Sequence, residues 1–167
     1  MYVFVWMSRI FRCRGFGVQS PTDYRFVRYV INEHWPYYKY DEVGLHDDWL
    51  TRRLGRLYFR LANWQQPSVV ISSGYADYIQ AGCATCSLSG DANDVELAIV
   101  SNAQQLHQLL PKCTARSVLV LDRLHRHRSL WSQIVSSPQV TVAYDLYYCG
   151  IALFDPKRVR QHYIVNF

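Results

Sequence analysis

Four groups of residues in this 167-residue chain have the types and spacing to do chemistry. The first is a glycine turn: Ser68 to Ser73 form a β-branched apolar run that Gly74 ends, and Tyr75 to Cys83 read on as a short helix. A strand passing through glycine into a helix is the opening unit of a nucleotide-binding α/β fold, where backbone N–H groups at the helix start face the ligand. Where a phosphate or adenosyl loop places its second glycine, this chain has Asp77 and Tyr78, whose side chains crowd a ligand lying against the backbone. A single glycine after a strand is more often a plain turn. The second group is Cys83-Ala84-Thr85-Cys86, with the spacing of a zinc half-site or a redox pair. No second C-x-x-C and no close histidine pair completes it, although Cys113 and His107 carry suitable donor atoms, and incidental thiols are the commoner meaning.

The third group, Arg123-Leu124-His125-Arg126-His127-Arg128, is the densest basic run and follows a strand carboxyl end, the edge where α/β folds place ligands. It suits an anion-facing rim or, more commonly, a solvated helix start. Asp122 and His125 are the candidate catalytic groups here, each a general base only if substrate lies within hydrogen-bond reach. The fourth is a stripe of arginines, Arg52, Arg53, Arg56 and Arg60, on a helical pattern; it reads as phosphate-facing or, more commonly, as a solvated face. No G-x-S-x-G, Walker loop, H-E-x-x-H or paired catalytic carboxylates occur.

The elements that must position these groups follow from pattern. Ser20 is a candidate N-cap with Pro21 at the first helical position, opening a helix from about Pro21 to Glu33 that Pro36 stops. A second helix runs from about Asp47 to Asn63, with Leu50, Leu54, Leu57, Tyr58 and Leu61 at three- and four-residue spacing. Strands are predicted at Val69 to Ser72, Glu96 to Val100 and Ser117 to Asp122. Their unbroken apolar runs suit a parallel sheet buried on both faces. Helices alternate with them at Tyr75 to Cys83, Gln104 to Leu110 and Ser129 to Ser136. Val140 to Tyr147, Gly150 to Phe154 and Tyr163 to Phe167 read as three closing strands with an antiparallel edge.

Length and composition bound the rest. The chain holds one domain of ordinary size, half its residues are apolar, and its net charge is +5. That excess suggests an acidic partner but falls short of the basic tracts of a dedicated nucleic-acid binder, so nucleic acid is not expected as the partner. Five cysteines without a secretory context predict reduced thiols and a cytoplasmic location. Met1 to Trp6 is apolar but too short to cross a bilayer, and its positive charge follows the apolar run; it reads as a short strand or arm, with no membrane partner implied. Ser8 to Gly17, rich in arginine and glycine, suits an extended arm over the body.

Gly17-Val18-Gln19-Ser20-Pro21, a helix, and Tyr37-Tyr38-Lys39-Tyr40-Asp41-Glu42 resemble the amino-terminal extension of a group of bacterial, chiefly Bacteroidetes, class I S-adenosylmethionine-dependent methyltransferase-like proteins. In that group the extension reads roughly H-G-[IV]-H-S-P-F followed by Y-Y-x-[YF]-[ED]-E. The run from Ser117 to His125, the strands Val140 to Leu146 and Gly150 to Phe154, and the closing Gln161 to Phe167 are similar as well, so the resemblance spans nearly the whole chain. It implies a truncated Rossmann-like methyltransferase sheet of class α/β, with parallel strands and an antiparallel C-terminal edge, preceded by an N-terminal helical extension. Residues 1–66 form the arm and extension packed on the core and residues 67–167 the truncated domain, together one structural unit.

The departures bear on function. The family turn E-I-G-T-x-x-G becomes Ser72 at the acidic position, Gly74 at the first glycine and Tyr78 at the second. Only about ten residues separate Cys86 from the next strand, whereas each parallel crossover needs a dozen or more. Strands two and three of the full sheet are therefore expected to be missing, and with them the acid that binds ribose hydroxyls. Ser101 stands where the family has an aspartate, and Arg123 replaces the acid beside Asp122, a poor setting for a divalent cation.

The expectation is a protein without cofactor or metal, with Ser72, Gly74 and Ser101 as vestigial cofactor-binding positions and a binding or structural role. The alternative is an active small-molecule O-methyltransferase using S-adenosylmethionine in a rearranged pocket around Gly74, Ser101 and Asp122. Nucleic-acid binding through the arginines is a third class and predicts steep salt dependence. With strand two lost, Val69 to Ser72 would lie at a sheet edge, to be covered by the Met1–Trp6 arm or by a second copy in a homodimer.

Overall fold

The computed structural model describes residues 4, 7–12, 15, 17–89 and 93–167; the Met1–Trp6 arm, apart from Phe4, lies outside them. Helix α1 spans Pro21–Phe26, capped as its sequence predicts: Ser20 Oγ accepts from the Asp23 N–H at 3.3 Å, and Pro21 sits at the first turn. It continues as a π-helical turn over Val27–Ile31. Helix α2, Trp49–Gln65, is capped by Asp48, whose carboxylate accepts from the Thr51 N–H at 2.7 Å. Strand β1 (Val69–Ser72) leads into α3 (Ala76–Gly82), and β2 (Ser87–Ser89) and β3 (Val95–Val100) follow. Next come α4 (Ala103–Leu109), β4 (Cys113–Asp122), α5 (Arg128–Ser136), β5 (Val142–Asp145), β6 (Cys149–Leu153) and β7 (Gln161–Ile164).

Among the described residues seven strands form one mixed sheet in the order β2-β1-β3-β4-β6-β5-β7. β2, β1, β3 and β4 run parallel; β6 is antiparallel to both β4 and β5, and β7 adds parallel to β5. Among the described strands β6 alone thus runs against the others, reached from β5 through a turn at Tyr147 with φ 70°. Adjacent residues on each strand face opposite sides, so both faces are packed. Val70, Leu97, Ile99, Val118 and Val120 join Leu54, Leu57, Leu61 and Ile79 of α2 and α3, while Ile71, Ala98, Leu119 and Leu121 join Leu106, Trp131 and Ile134 of α4 and α5. Helices on both faces of a largely parallel sheet make this an α/β fold.

Two expectations change. Strand β1 is not at an edge, because Ser87–Ser89 pairs with it in parallel at Val69, Val70 and Ile71. The two-turn helix α3 suffices for that crossover, so of the two strands expected to be missing, one parallel neighbour of β1 is present. The surface proposed for a homodimer or for the arm is held by the chain itself. The arginine-rich arm is also not simply extended: Ile10–Arg12 form a 3-10 turn, and Arg9 clamps Asp145, donating to its backbone oxygen at 2.9 Å and to Oδ1 at 3.0 Å. Among the described residues, no helix is long and apolar enough to cross a membrane.

Candidate functional site

Strands β1, β3 and β4 are in register, with Ser72 opposite Ile99 and Val100 opposite Leu121, so Ser72, Ser101 and Asp122 come together at one end of the sheet. The chain passes from β1 out to β2 on one side and back to β3 on the other, and α/β sheets bind ligands beyond the carboxyl ends of strands at such a reversal. In this chain the polar groups at that end answer one another. The Ser72 hydroxyl donates to the Gly74 carbonyl at 2.6 Å and accepts from the Gly74 N–H at 3.3 Å. The Ser101 N–H donates to Gln105 Oε1 at 3.0 Å, inside a cap where Asn102 Oδ1 accepts from the Gln105 N–H at 2.9 Å. Asp122, 8% exposed, accepts from the Tyr58 hydroxyl at 2.7 Å and from the Tyr75 hydroxyl at 3.4 Å, and pairs with Arg123 Nε at 3.7 Å.

Tyr75 is the residue that reaches over the strand ends, and its backbone makes this possible. It adopts φ 63°, ψ 23°, a left-handed conformation that costs a side-chain-bearing residue about 1–2 kcal/mol. The ring packs edge-on against Tyr58 with centroids 4.7 Å apart, which offsets part of that cost. Burial, and then the Asp122 carboxylate, push the Tyr75 phenol up to about 12, and burial first of all raises Tyr58 well above its ordinary value. Both therefore stay protonated donors at neutral pH.

Tyr78, expected to crowd the second glycine position, turns elsewhere: its ring lies against Gly55 of α2 and its hydroxyl donates to Asp47 Oδ2 at 2.8 Å. Asp77 is exposed. Gly74 has open space around a would-be Cβ and no left-handed φ, so nothing in its surroundings demands glycine.

His125 lies in the 3-10 turn Leu124–Arg126, stacked on Tyr147 at 5.6 Å and edge-on to Tyr148 at 5.4 Å, with Nδ1 buried and unpartnered. Burial, followed by the charges of Arg126, Arg123 and Arg128, lowers its pKa, which favours neutral imidazole. The basic rim is largely engaged by the chain: Arg123 donates to Thr51 Oγ1 at 3.1 Å and Arg128 to Asp145 Oδ2 at 2.6 Å, while Arg126 is exposed. Cys83 and Cys86 are free and buried; burial raises the Cys86 thiol and takes Cys113 up to about 12, away from the thiolate that metals and disulfide exchange require. Among the described residues no three His, Cys, Asp or Glu side chains come together as a metal site.

The arginine stripe of α2 is not a solvated face. Arg60 is 7% exposed and donates to the carbonyls of Val30 at 2.6 Å and Ile31 at 2.9 Å and to the Tyr40 hydroxyl at 3.2 Å, satisfying the open end of the π-helical turn. Arg52 ties down the loop before α2 through the carbonyls of Gly44, Leu45 and Asp47. Arg53 and Arg56, half-buried, line a cavity of about 310 Å³ with Arg60. The cue in the sequence is the aromatic neighbourhood, Trp35, Tyr37, Tyr40 and Trp49, that accompanies these arginines.

Comparison of the chain with protein families, with characterised proteins and with solved structures returned no match.

Proposed function

We propose that this chain is a methyltransferase-like protein with a truncated Rossmann-like sheet whose adenosyl site has been given over to its own side chains. It would not bind S-adenosylmethionine in the usual way or transfer methyl groups, and its role would be binding or structural. The observation carrying this reading is Tyr75: its left-handed backbone lays the ring across the ends of β1 and β4 and brings its hydroxyl to Asp122. An adenosyl group entering there must displace an aromatic side chain that packs on buried Tyr58, and must leave Asp122 with fewer donors.

The strand arrangement supports the same reading. A parallel set reversing direction of addition at β1, with an antiparallel strand inserted beside β4, has the crevice in which such folds hold nucleotides. Ser72 and Ser101, at the positions where the resembling family has acids, bond within their own turns instead of presenting free acceptors to a ribose. Isothermal calorimetry with S-adenosylmethionine tests the proposal. No heat of binding is expected; a saturable micromolar affinity would overturn it.

A further inference from the structure

Arg53, Arg56 and Arg60 lie three and four residues apart on α2, a spacing that brings their side chains onto one face, where like charges destabilise a helix. Among the described residues none of the three forms an ion pair with a carboxylate. Two acids border the cavity: Glu33 Oε1 is engaged by the His34 and Trp35 N–H groups at 2.8 and 3.0 Å, and Asp41 is exposed.

Aromatic rings hold the guanidinium groups in place. That of Arg53 lies 4.6 Å from the Phe167 ring centroid and 5.3 Å from that of Trp49, and that of Arg56 lies 4.8 Å from Tyr40. Ring contacts of this kind use the flat face of a guanidinium and leave its in-plane N–H groups for other partners. The Nε atoms of both Arg53 and Arg56 are buried with no hydrogen-bond partner. Buried polar groups are ordinarily paired, because an unmade bond to a charged donor is costly. Burial, and then the charge of Arg60, also depress the Arg53 pKa, which a bound anion would reverse.

We propose that this cavity binds a small phosphate monoester carrying an aromatic ring, with the phosphate bridging Arg53 and Arg56 and the ring against Trp49 and Trp35 at the mouth. Planar guanidinium groups match phosphate oxygens in pairs, and two of them together balance a dianion. Trp49 is 51% and Trp35 76% exposed, so both leave apolar ring surface for a ligand to cover. The volume of about 310 Å³ sits at the small end of the range for low-molecular-weight ligands and suits one molecule of this size better than a polymer. The site shares no residue with the strand ends, so it stands or falls apart from the question of S-adenosylmethionine.

The test is calorimetric titration of the full chain at constant ionic strength near neutral pH with phenyl phosphate, inorganic phosphate and a short oligodeoxythymidine lacking terminal phosphates. Phenyl phosphate should bind saturably at one site and about tenfold or more tighter than inorganic phosphate, the difference that stacking on an aromatic ring supplies. Arg53→Gln and Arg56→Gln should each weaken it by about tenfold or more, as expected for losing a charged hydrogen-bond donor. Arg126→Gln, at an exposed arginine outside the cavity, should leave it unchanged. Circular dichroism establishes that each variant is folded, and should one fail to fold, the other and the wild-type ligand series still decide. The proposal is overturned by the absence of saturable binding, by equal losses in Arg126→Gln, or by tighter, steeply salt-dependent binding of the oligonucleotide.

Discussion

The ends of strands β1, β3 and β4 and the arginine cavity both rest on helix α2, yet they treat polar groups in opposite ways. At the strand ends Tyr58, Tyr75 and Arg123 converge on Asp122, and Ser72 and Ser101 bond within their own turns. In the cavity two guanidinium groups keep buried Nε atoms without partners while aromatic rings hold them in place. At the strand ends the chain's own side chains satisfy one another, while in the cavity charged donors are left without protein partners, which is the difference on which the two proposals rest.

The strongest way to break the closed region is at the α2–α3 contact beneath it. A Cβ on Gly82 would collide with the main-chain carbonyl of Phe59, so Gly82→Ala must push the two helices apart. A loss of about 2–3 kcal/mol in chemical denaturation is expected; a loss below about 0.5 kcal/mol, the size of an ordinary surface change, would mean that the close approach does not hold Tyr75 and Tyr78 in place.

Next in size is a paired comparison. Tyr58→Phe removes a fully buried donor from Asp122 and should cost about 1–2 kcal/mol. Arg53→Gln and Arg56→Gln should each stay within about 0.5 kcal/mol of the parent, since they remove like charges that have no internal carboxylate. Equal costs in both regions would erase the contrast drawn between them.

The pH dependence sharpens it further. The folded Tyr75 phenol is held up to about 12, above its unfolded value of about 10. Its contribution is therefore fully present below about pH 10 and lost as pH rises toward the folded value, because only the unfolded chain readily gives up the proton. Denaturation midpoints of the wild type should fall across that window, and Tyr75→Phe should make the fall shallower; an identical fall in the variant would remove Tyr75 from the closed site. The smallest effect belongs to Gly74→Ala. With open space at the Cβ and no left-handed φ, it should be neutral or stabilising by up to about 1 kcal/mol, and a clear loss would show that the turn needs its glycine.

Much of this architecture is legible in the chain itself. Five strands announce themselves as apolar runs, while β7, Gln161–Ile164, starts two residues before the expected Tyr163 to Phe167 run and shares only Tyr163 and Ile164 with it; Ser20-Pro21 predicts the start of α1. Ser87–Ser89 escapes because three residues, two of them serine, carry no apolar signal, and its pairing with β1 is a long-range event. Ser72, Ser101 and Asp122 do lie at one end of the sheet, but Tyr78 stands out in the sequence whereas Tyr75 is the tyrosine that reaches Asp122. A tyrosine with positive φ goes against local preference and is settled only by its contacts with Tyr58 and Asp122. The arginines of α2 look like a wet face for the same reason: helical spacing reveals their side of the helix, not Trp35, Tyr37, Tyr40 and Phe167, which line the cavity with them.

The most direct measurement is a crystal structure of the protein grown with S-adenosylmethionine in large excess. The strand end should be empty, with the Tyr75 ring on Tyr58 and its hydroxyl toward Asp122. Density for the adenosyl group against Gly74, with Tyr75 swung aside, would contradict this.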